Sequence, residues 1–270
     1  MSELAPGRYT IARRATQVAV LLLLAGGHRW HWPVLAGDLS FSRVLGTVPL
    51  ADPLAALQLG LAHGPPARDV MLGAAIVLLF YGLLAGRAFC AWVCPVNMVT
   101  DLVNRWRGPR LAAAGPGRAV RYGVLALALG LSALLGAAAF EAVSPIGAFH
   151  RAVVYGAAAA WLAVLAVAAY DLGVQRNGFC GRLCPLGAFY ALTTRFRALR
   201  VVHDHAACSG CGHCFRVCPE PSVLRDVGKV SGTLDDPHCT NCGRCLEVCP
   251  DTALRFGWRR SPRHSLPGGS

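Results

Sequence analysis

The sequence predicts an all-α membrane protein, with four transmembrane helices in a two-hairpin repeat, carrying a small α+β domain at its C-terminal end. Three observations predict it. Of 270 residues, 54% are hydrophobic and only 15% charged, against roughly 25% charge in a soluble domain. The apolar residues gather into four long runs before residue 200. Eight of the twelve cysteines lie beyond that point in a polar segment, and the other four recur at equivalent places after the second and fourth runs. The mean hydropathy of +0.45 excludes a disordered chain and an ordinary soluble enzyme.

A bilayer core about 30 Å thick needs about 20 mostly apolar residues in a helix, and the runs at 15–35, 70–89, 119–140 and 152–172 meet that requirement. The first, which comes after Arg13 and Arg14, also has the make-up of a signal-peptide core. Its C-terminal flank, His28 to Trp32, is an interfacial pattern rather than a small-residue cleavage site, so the run reads as a retained span. The loops set the orientation. Arg8, Arg13 and Arg14 precede the first run, and Arg87, Arg105, Arg107, Arg110, Arg118 and Arg121 stand between the second and third against Asp101 alone. The 36–69 connection instead mixes Arg43 and Arg68 with Asp38, Asp52 and Asp69. The positive-inside rule then places both termini and the C-terminal domain in the cytoplasm. Topology accounts for the net charge of +12, because the bases sit at the ends of apolar runs and form no basic face with groove-reading elements. No nucleic-acid partner is expected.

The chain repeats itself. Phe89-Cys90-Ala-Trp-Val-Cys94-Pro95 leads into a segment ending Arg105-Trp-Arg107, and Phe179-Cys180-Gly-Arg-Leu-Cys184-Pro185 into one ending Arg195-Phe-Arg197. Val48 to Pro53 and Val143 to Gly147 occupy matching places on the outer side. The basic stretches (Arg105, Arg107 and Arg110; Arg195, Arg197 and Arg200) read as interfacial segments anchored to anionic membrane lipid, with docking of an acidic electron donor as the alternative. A repeated Cys-x3-Cys-Pro favours a redox or ligand role for Cys90, Cys94, Cys180 and Cys184 over burial as small hydrophobes. Metal or cluster ligation, a redox disulfide and electron relay all remain open for these four.

The polar segment reads Cys208-x2-Cys211-x2-Cys214-x3-Cys218-Pro219 and then Cys239-x2-Cys242-x2-Cys245-x3-Cys249-Pro250. This is the bacterial 2[4Fe–4S] ferredoxin run, twice. Cysteines at every third residue wrap three corners of a cubane, and in two-cluster ferredoxins the fourth ligand comes from the other motif. One 4Fe–4S cluster is therefore assigned to Cys208, Cys211, Cys214 and Cys249, the other to Cys239, Cys242, Cys245 and Cys218. Zinc is disfavoured because its sites pair two C-x2-C hooks across a longer gap, and disulfides because the cytoplasm is reducing. The expected domains are 1–200 (membrane), 201–258 (two-cluster ferredoxin) and 259–270 (a disordered Pro/Gly/Ser-rich tail).

Taken together, Thr47 to Leu54, Phe89 to Pro95, Phe179 to Pro185 and Val217 to Pro221 resemble the NapH/MauN family of membrane ferredoxin-type proteins, and within it the NapH branch, over nearly the whole chain. The resemblance implies a multi-pass protein of the bacterial inner membrane with two 4Fe–4S clusters. Further expectations are a quinol dehydrogenase role with menaquinol or ubiquinol as donor, a NapG-like periplasmic iron–sulfur partner, and a periplasmic nitrate reductase system as destination. In the MauN case the electrons would serve methylamine utilization, as a redox maturation factor. A membrane anchor with structural clusters is a third reading.

Quinol oxidation releases two protons and two electrons, so a proton acceptor is needed. Asp52, His63, Glu141, His150, His28 and His31 are the outer-side candidates, and Glu141, which closes an otherwise uncharged run, is the best of them. Each also has an ordinary reading as a turn former or interfacial anchor. Runs two to four contain no histidine, so no haem ladder carries electrons across.

Overall fold

The computed structural model describes residues 7–106 and 117–259. Arg107 and Arg110 fall outside them, and of the expected tail only Arg259 is described, its N–H donating to Ala198 O at 2.8 Å.

The N-terminal part is helical and built as a repeat deeper than its cysteine pairs. Its first half is α1 (Arg8–Trp30), a three-stranded antiparallel sheet of β1 (Leu35–Gly37), β2 (Phe41–Val44) and β3 (Val48–Ala51), then α2 (Pro53–His63), α3 (Arg68–Leu79), α4 (Ala88–Trp92) and α5 (Val96–Trp106). The second half is α6 (Val120–Leu135), α7 (Ala139–Val143), α8 (Pro145–Val154), α9 (Trp161–Gly173) and α10 (Pro185–Thr193). A π-helical turn, Phe80–Ala85, extends α3, and another, Phe179–Leu183, comes after α9. Such turns recur at functional sites, and here each adjoins a Cys-x3-Cys pair.

Asp52-Pro53 opens α2 and Ser144-Pro145 opens α8. In each the polar residue caps the helix, Asp52 Oδ1 accepting from Leu54 N at 2.9 Å and Ser144 Oγ from Gly147 N at 3.5 Å, with proline at the first turn where no N–H is needed. The matching segments Val48 to Pro53 and Val143 to Gly147 thus each lead into a short helix, the first from β3 and the second from α7. Each packs on the long helix of the opposite half, α2 on α6 and α8 on α1.

This corrects the span boundaries. Among the described residues, Arg68–Ala85 is the one helix long and apolar enough to cross a membrane, while Val120–Leu135 and Ala158–Gly173 are apolar but shorter. The run at 119–140 ends its helix at Gly136, in the left-handed region at φ 62°. The run at 152–172 takes in the end of α8 and is cut at Gly156, φ 70°. The first run gives way to β1 at Leu35. Apolar glycine-containing breaks do not register in hydropathy, which is why the sequence reads as four runs of uniform length.

The C-terminal domain pairs β4 (Leu199–His203) antiparallel with both β5 (Gly232–Thr233) and β6 (Leu254–Trp258) and adds the short helices α11 (His213–Val217) and α12 (Arg244–Glu247). Its core of Val201, Val223, Leu224, Val227, Leu234 and Leu254 also buries Cys214 and Cys245.

Candidate iron–sulfur and electron-transfer site

Gly212 and Gly243, at φ 70° and 77°, turn the chain into α11 and α12. The turn at Gly243 is also a close approach, since a Cβ there would meet Tyr9 Cγ at 2.6 Å. Cys214 and Cys245, the third cysteine of each motif, are carried inward on these helices to 9% and 8% exposure. Cys218 of the first motif lines one cavity with Cys239, Cys242 and Cys245 of the second. At the other end, Ser209 N and Oγ donate to Asp251 Oδ2 at 3.0 and 2.5 Å. That bond ties the loop of Cys208 to the turn just past Cys249. None of the twelve cysteines is in a disulfide. Burial pushes the Cys239 thiol up while the Arg197 guanidinium beside it pulls down, so a cation already stands where thiolate ligands would concentrate negative charge. The donor set fits two 4Fe–4S clusters.

The two Cys-x3-Cys-Pro pairs converge. Cys94 and Cys184, 5% and 6% exposed, belong to one core with Leu54, Phe140, Ile146, Leu186 and Tyr190. Burial, then the neighbouring Cys94, Cys184, Asp171 and Cys90, push the Cys180 thiol well up. Proline starts the helix after each pair, so Cys94 and Cys184 stand at the N-termini of α5 and α10. There the backbone N–H groups of Val96 and Asn97, and of Leu186 and Gly187, pull against the burial that pushes both thiols up. Gln17, fully buried on α1, donates to Ala91 O and Cys94 O at 3.1 and 3.0 Å and fixes the first pair.

The C-terminal domain is docked on this surface. Trp92 Nε1 donates to Asn241 O at 3.0 Å, and Asn241 Nδ2 donates back to Ala85 O at 3.0 Å and to Leu199 O at 3.1 Å. Arg87 Nη1 donates to His238 O at 3.3 Å. Asp101 on α5, 7% exposed, takes Arg14 of α1 and Arg244 of α12 on one oxygen, with Arg13 at 3.9 Å. One cavity is consequently lined by Cys90 and Cys180 from the helical part and Cys242 from the C-terminal domain.

Arg197 and Arg200 correct the lipid-anchor reading. They are 0% and 4% exposed. Arg197 Nη2 donates to Leu234 O and Asp236 O at 3.1 and 2.9 Å, and Arg200 pairs with Asp235. They fasten the C-terminal domain and do not face lipid. Sequence reasoning misses this docking because it depends on carbonyls about forty residues away; the only local trace is the Arg-x-Arg doublet itself.

Of the outer-side candidates, Glu141 and Asp52 come together. Glu141 Oε2 accepts from Ser40 Oγ at 2.6 Å, and Asp52 N donates to Ser40 O at 2.8 Å. Burial, and then the neighbouring Glu141, raise the Asp52 carboxyl to about 7. Burial also raises Glu141. Asp52 and Cys90 both act electrostatically on Tyr190, whose ring packs against Tyr81 and Phe89 at centroid distances of 5.5 and 5.8 Å. His150 and His28 instead pack edge-on against Tyr155, and His31 and His63 lie at helix ends. These four do not join the pair.

Residues 69–112 and 153–202 match the family described as a 4Fe-4S binding domain, and 200–250 the family described as a 4Fe-4S dicluster domain. The chain is 40% identical over 228 residues to the methylamine utilization ferredoxin-type protein MauN of Methylobacillus flagellatus, covering 82% of this chain and 79% of that one. It is 39% identical over 222 residues to the ferredoxin-type protein NapH of Escherichia coli, covering 81% and 77%. No solved structure matches.

Proposed function

We propose a function from one premise: the chain belongs to the NapH/MauN family of ferredoxin-type iron–sulfur electron-transfer proteins. The function is that of a membrane quinol dehydrogenase component, taking electrons from menaquinol or ubiquinol and sending them toward a periplasmic reductase. The observation that carries it is the cavity lined by Cys90 and Cys180 of the helical part and Cys242 of the C-terminal domain, which supports electron passage between the two parts.

Cys208, Cys211, Cys214 and Cys249 hold one 4Fe–4S cluster, and Cys239, Cys242, Cys245 and Cys218 the other. When bound, the two clusters supply one-electron carriers matched to the two electrons that quinol releases. Glu141 and Asp52 receive the protons: both are part-buried carboxyls biased toward the protonated form, with Glu141 Oε2 accepting from Ser40 Oγ and the Asp52 backbone N–H donating to Ser40 O. Cys90, Cys94, Cys180 and Cys184 are the redox groups between that pair and the C-terminal clusters. Four crossings of the bacterial inner membrane, with the termini and the ferredoxin domain cytoplasmic, are supported by the arginine-rich side of the chain. A belt of outward apolar residues supports them too: Leu22 63%, Leu72 55%, Leu127 60%, Leu134 83% and Leu162 69% exposed.

The destination has two readings. A NapH-like member with a NapG-like partner would serve a periplasmic nitrate reductase. The 40% identity to a MauN protein supports redox maturation in methylamine utilization equally well. The test is quinol-driven reduction in anaerobic membranes with periplasmic extract, comparing wild type with Cys214→Ser and Cys94→Ser while an artificial viologen donor reports mature reductase. Loss of quinol activity with viologen activity intact is expected. Loss of both points to maturation, and loss of neither contradicts an electron-transfer role.

A further inference from the structure

The segments 69–112 and 153–202 each contain just two cysteines, Cys90 with Cys94 and Cys180 with Cys184. A cluster bound through cysteine alone takes four thiolates, so neither segment can bind one by itself. The fold brings the two pairs to one place: Cys94 and Cys184 share a core against which Cys180 packs, and Cys90 and Cys180 line one cavity.

Two further features point to an anionic ligand there. Cys94 and Cys184 stand at the N-termini of α5 and α10, whose dipoles and free N–H groups favour negative charge. Arg87 and Arg13, 3% and 1% exposed, both line the cavity next to Cys90 and Cys180, and the Nε of each has no hydrogen-bond partner among the described residues. Buried guanidinium nitrogens without partners are costly, and a cluster ligated by four thiolates carries the compensating charge. Among the described residues no three Cys, His, Asp or Glu close in tightly enough for a single ion. That holds equally for the eight ferredoxin cysteines.

We infer that Cys90, Cys94, Cys180 and Cys184 together bind one further iron–sulfur cluster, shared between the two halves of the repeat and adjoining the cluster site of Cys242. Arg87 and Arg13 are positioning residues that offset its charge. The inference deepens the electron-transfer reading above and rests on it for its role, though the site itself is measurable without quinol.

The test is the iron and acid-labile sulfide content of the full chain, purified anaerobically in detergent. Two ferredoxin clusters account for about eight irons per chain; about ten or about twelve are expected, according to whether the further cluster holds two or four. In Cys94→Ser/Cys184→Ser the content should return to about eight while the ferredoxin electron paramagnetic resonance signals persist. About eight irons in the wild type, zinc in place of the extra iron, or free alkylation of the four thiols in the wild type would each overturn the inference. If the double variant fails to fold, the wild-type content alone decides. A full iron content without quinol activity would refute the quinol reading and leave the site standing.

Discussion

Asp101→Asn removes the charge that joins three parts of the molecule. Asp101 is 7% exposed and carries the contacts of Arg14 and Arg244 on one oxygen, with Arg13 at 3.9 Å. Removing one partner of a buried ion pair costs about 3–5 kcal/mol, because the remaining charge stays buried. The guanidiniums of Arg14 and Arg244 retain 25% and 16% exposure and can turn partly toward water, whereas Arg13, at 1%, cannot. The lower end, about 3 kcal/mol, is therefore expected, a fall in melting temperature on the order of 10 °C for a chain of this size. The assay is thermal unfolding of the detergent-solubilised chain, monitored by its iron–sulfur absorbance, with limited trypsin digestion to show release of the C-terminal domain. Asp226→Asn is the control, since the Arg225–Asp226 pair is 73% and 72% exposed and such pairs contribute about 0–1 kcal/mol. An Asp101→Asn variant that melts with the wild type, or a control that shifts equally, would refute the docking argument.

Asp52→Asn keeps the cap on Leu54 N and removes a titration. The folded carboxyl holds its proton between the ordinary 3.8 and about 7, where the unfolded chain has released it, so folding takes up a proton and stability falls as pH rises through that window. The advantage of the variant should grow from pH 4 to 7, toward about 4 kcal/mol at most, and then level off; unfolding midpoints in a pH series that differ by a constant amount would contradict it. Glu247→Ala removes the acceptor for Thr10 N and Oγ1, both at 2.7 Å. It should lower stability by about 1–3 kcal/mol and speed proteolysis near the start of α1, and an unchanged digestion pattern would count against that tie. Trp92→Phe keeps an aromatic ring and loses the bond to Asn241 O, for an expected loss of about 1 kcal/mol read by the same melting assay.

The cysteine framework is legible in the sequence because ligand spacing is local: three thiols must meet one cluster from a single loop, and the chain writes that as Cys-x2-Cys-x2-Cys. The repeat is legible for the same reason, through its two Cys-x3-Cys-Pro copies. The helix breaks are not. Gly136 and Gly156 lie inside apolar runs, so neither composition nor length marks them. Glu141 stands out in the sequence, but its pairing with Asp52 depends on the sheet turning Ser40 between them. Arg197 and Arg200 look like interfacial bases because their partners are carbonyls and a carboxylate brought in by the fold of the next domain.

Electron entry from quinol is the central claim, and anaerobic mixing of the purified, oxidised chain with a reduced quinol tests it most directly, read by the bleaching of iron–sulfur absorbance and by electron paramagnetic resonance. Quinol is expected to reduce clusters ligated by the C-terminal cysteines, Cys90→Ser/Cys180→Ser to slow this reduction at least about tenfold, and dithionite still to reduce both proteins. Clusters that dithionite reduces but quinol leaves oxidised in the wild type would contradict it.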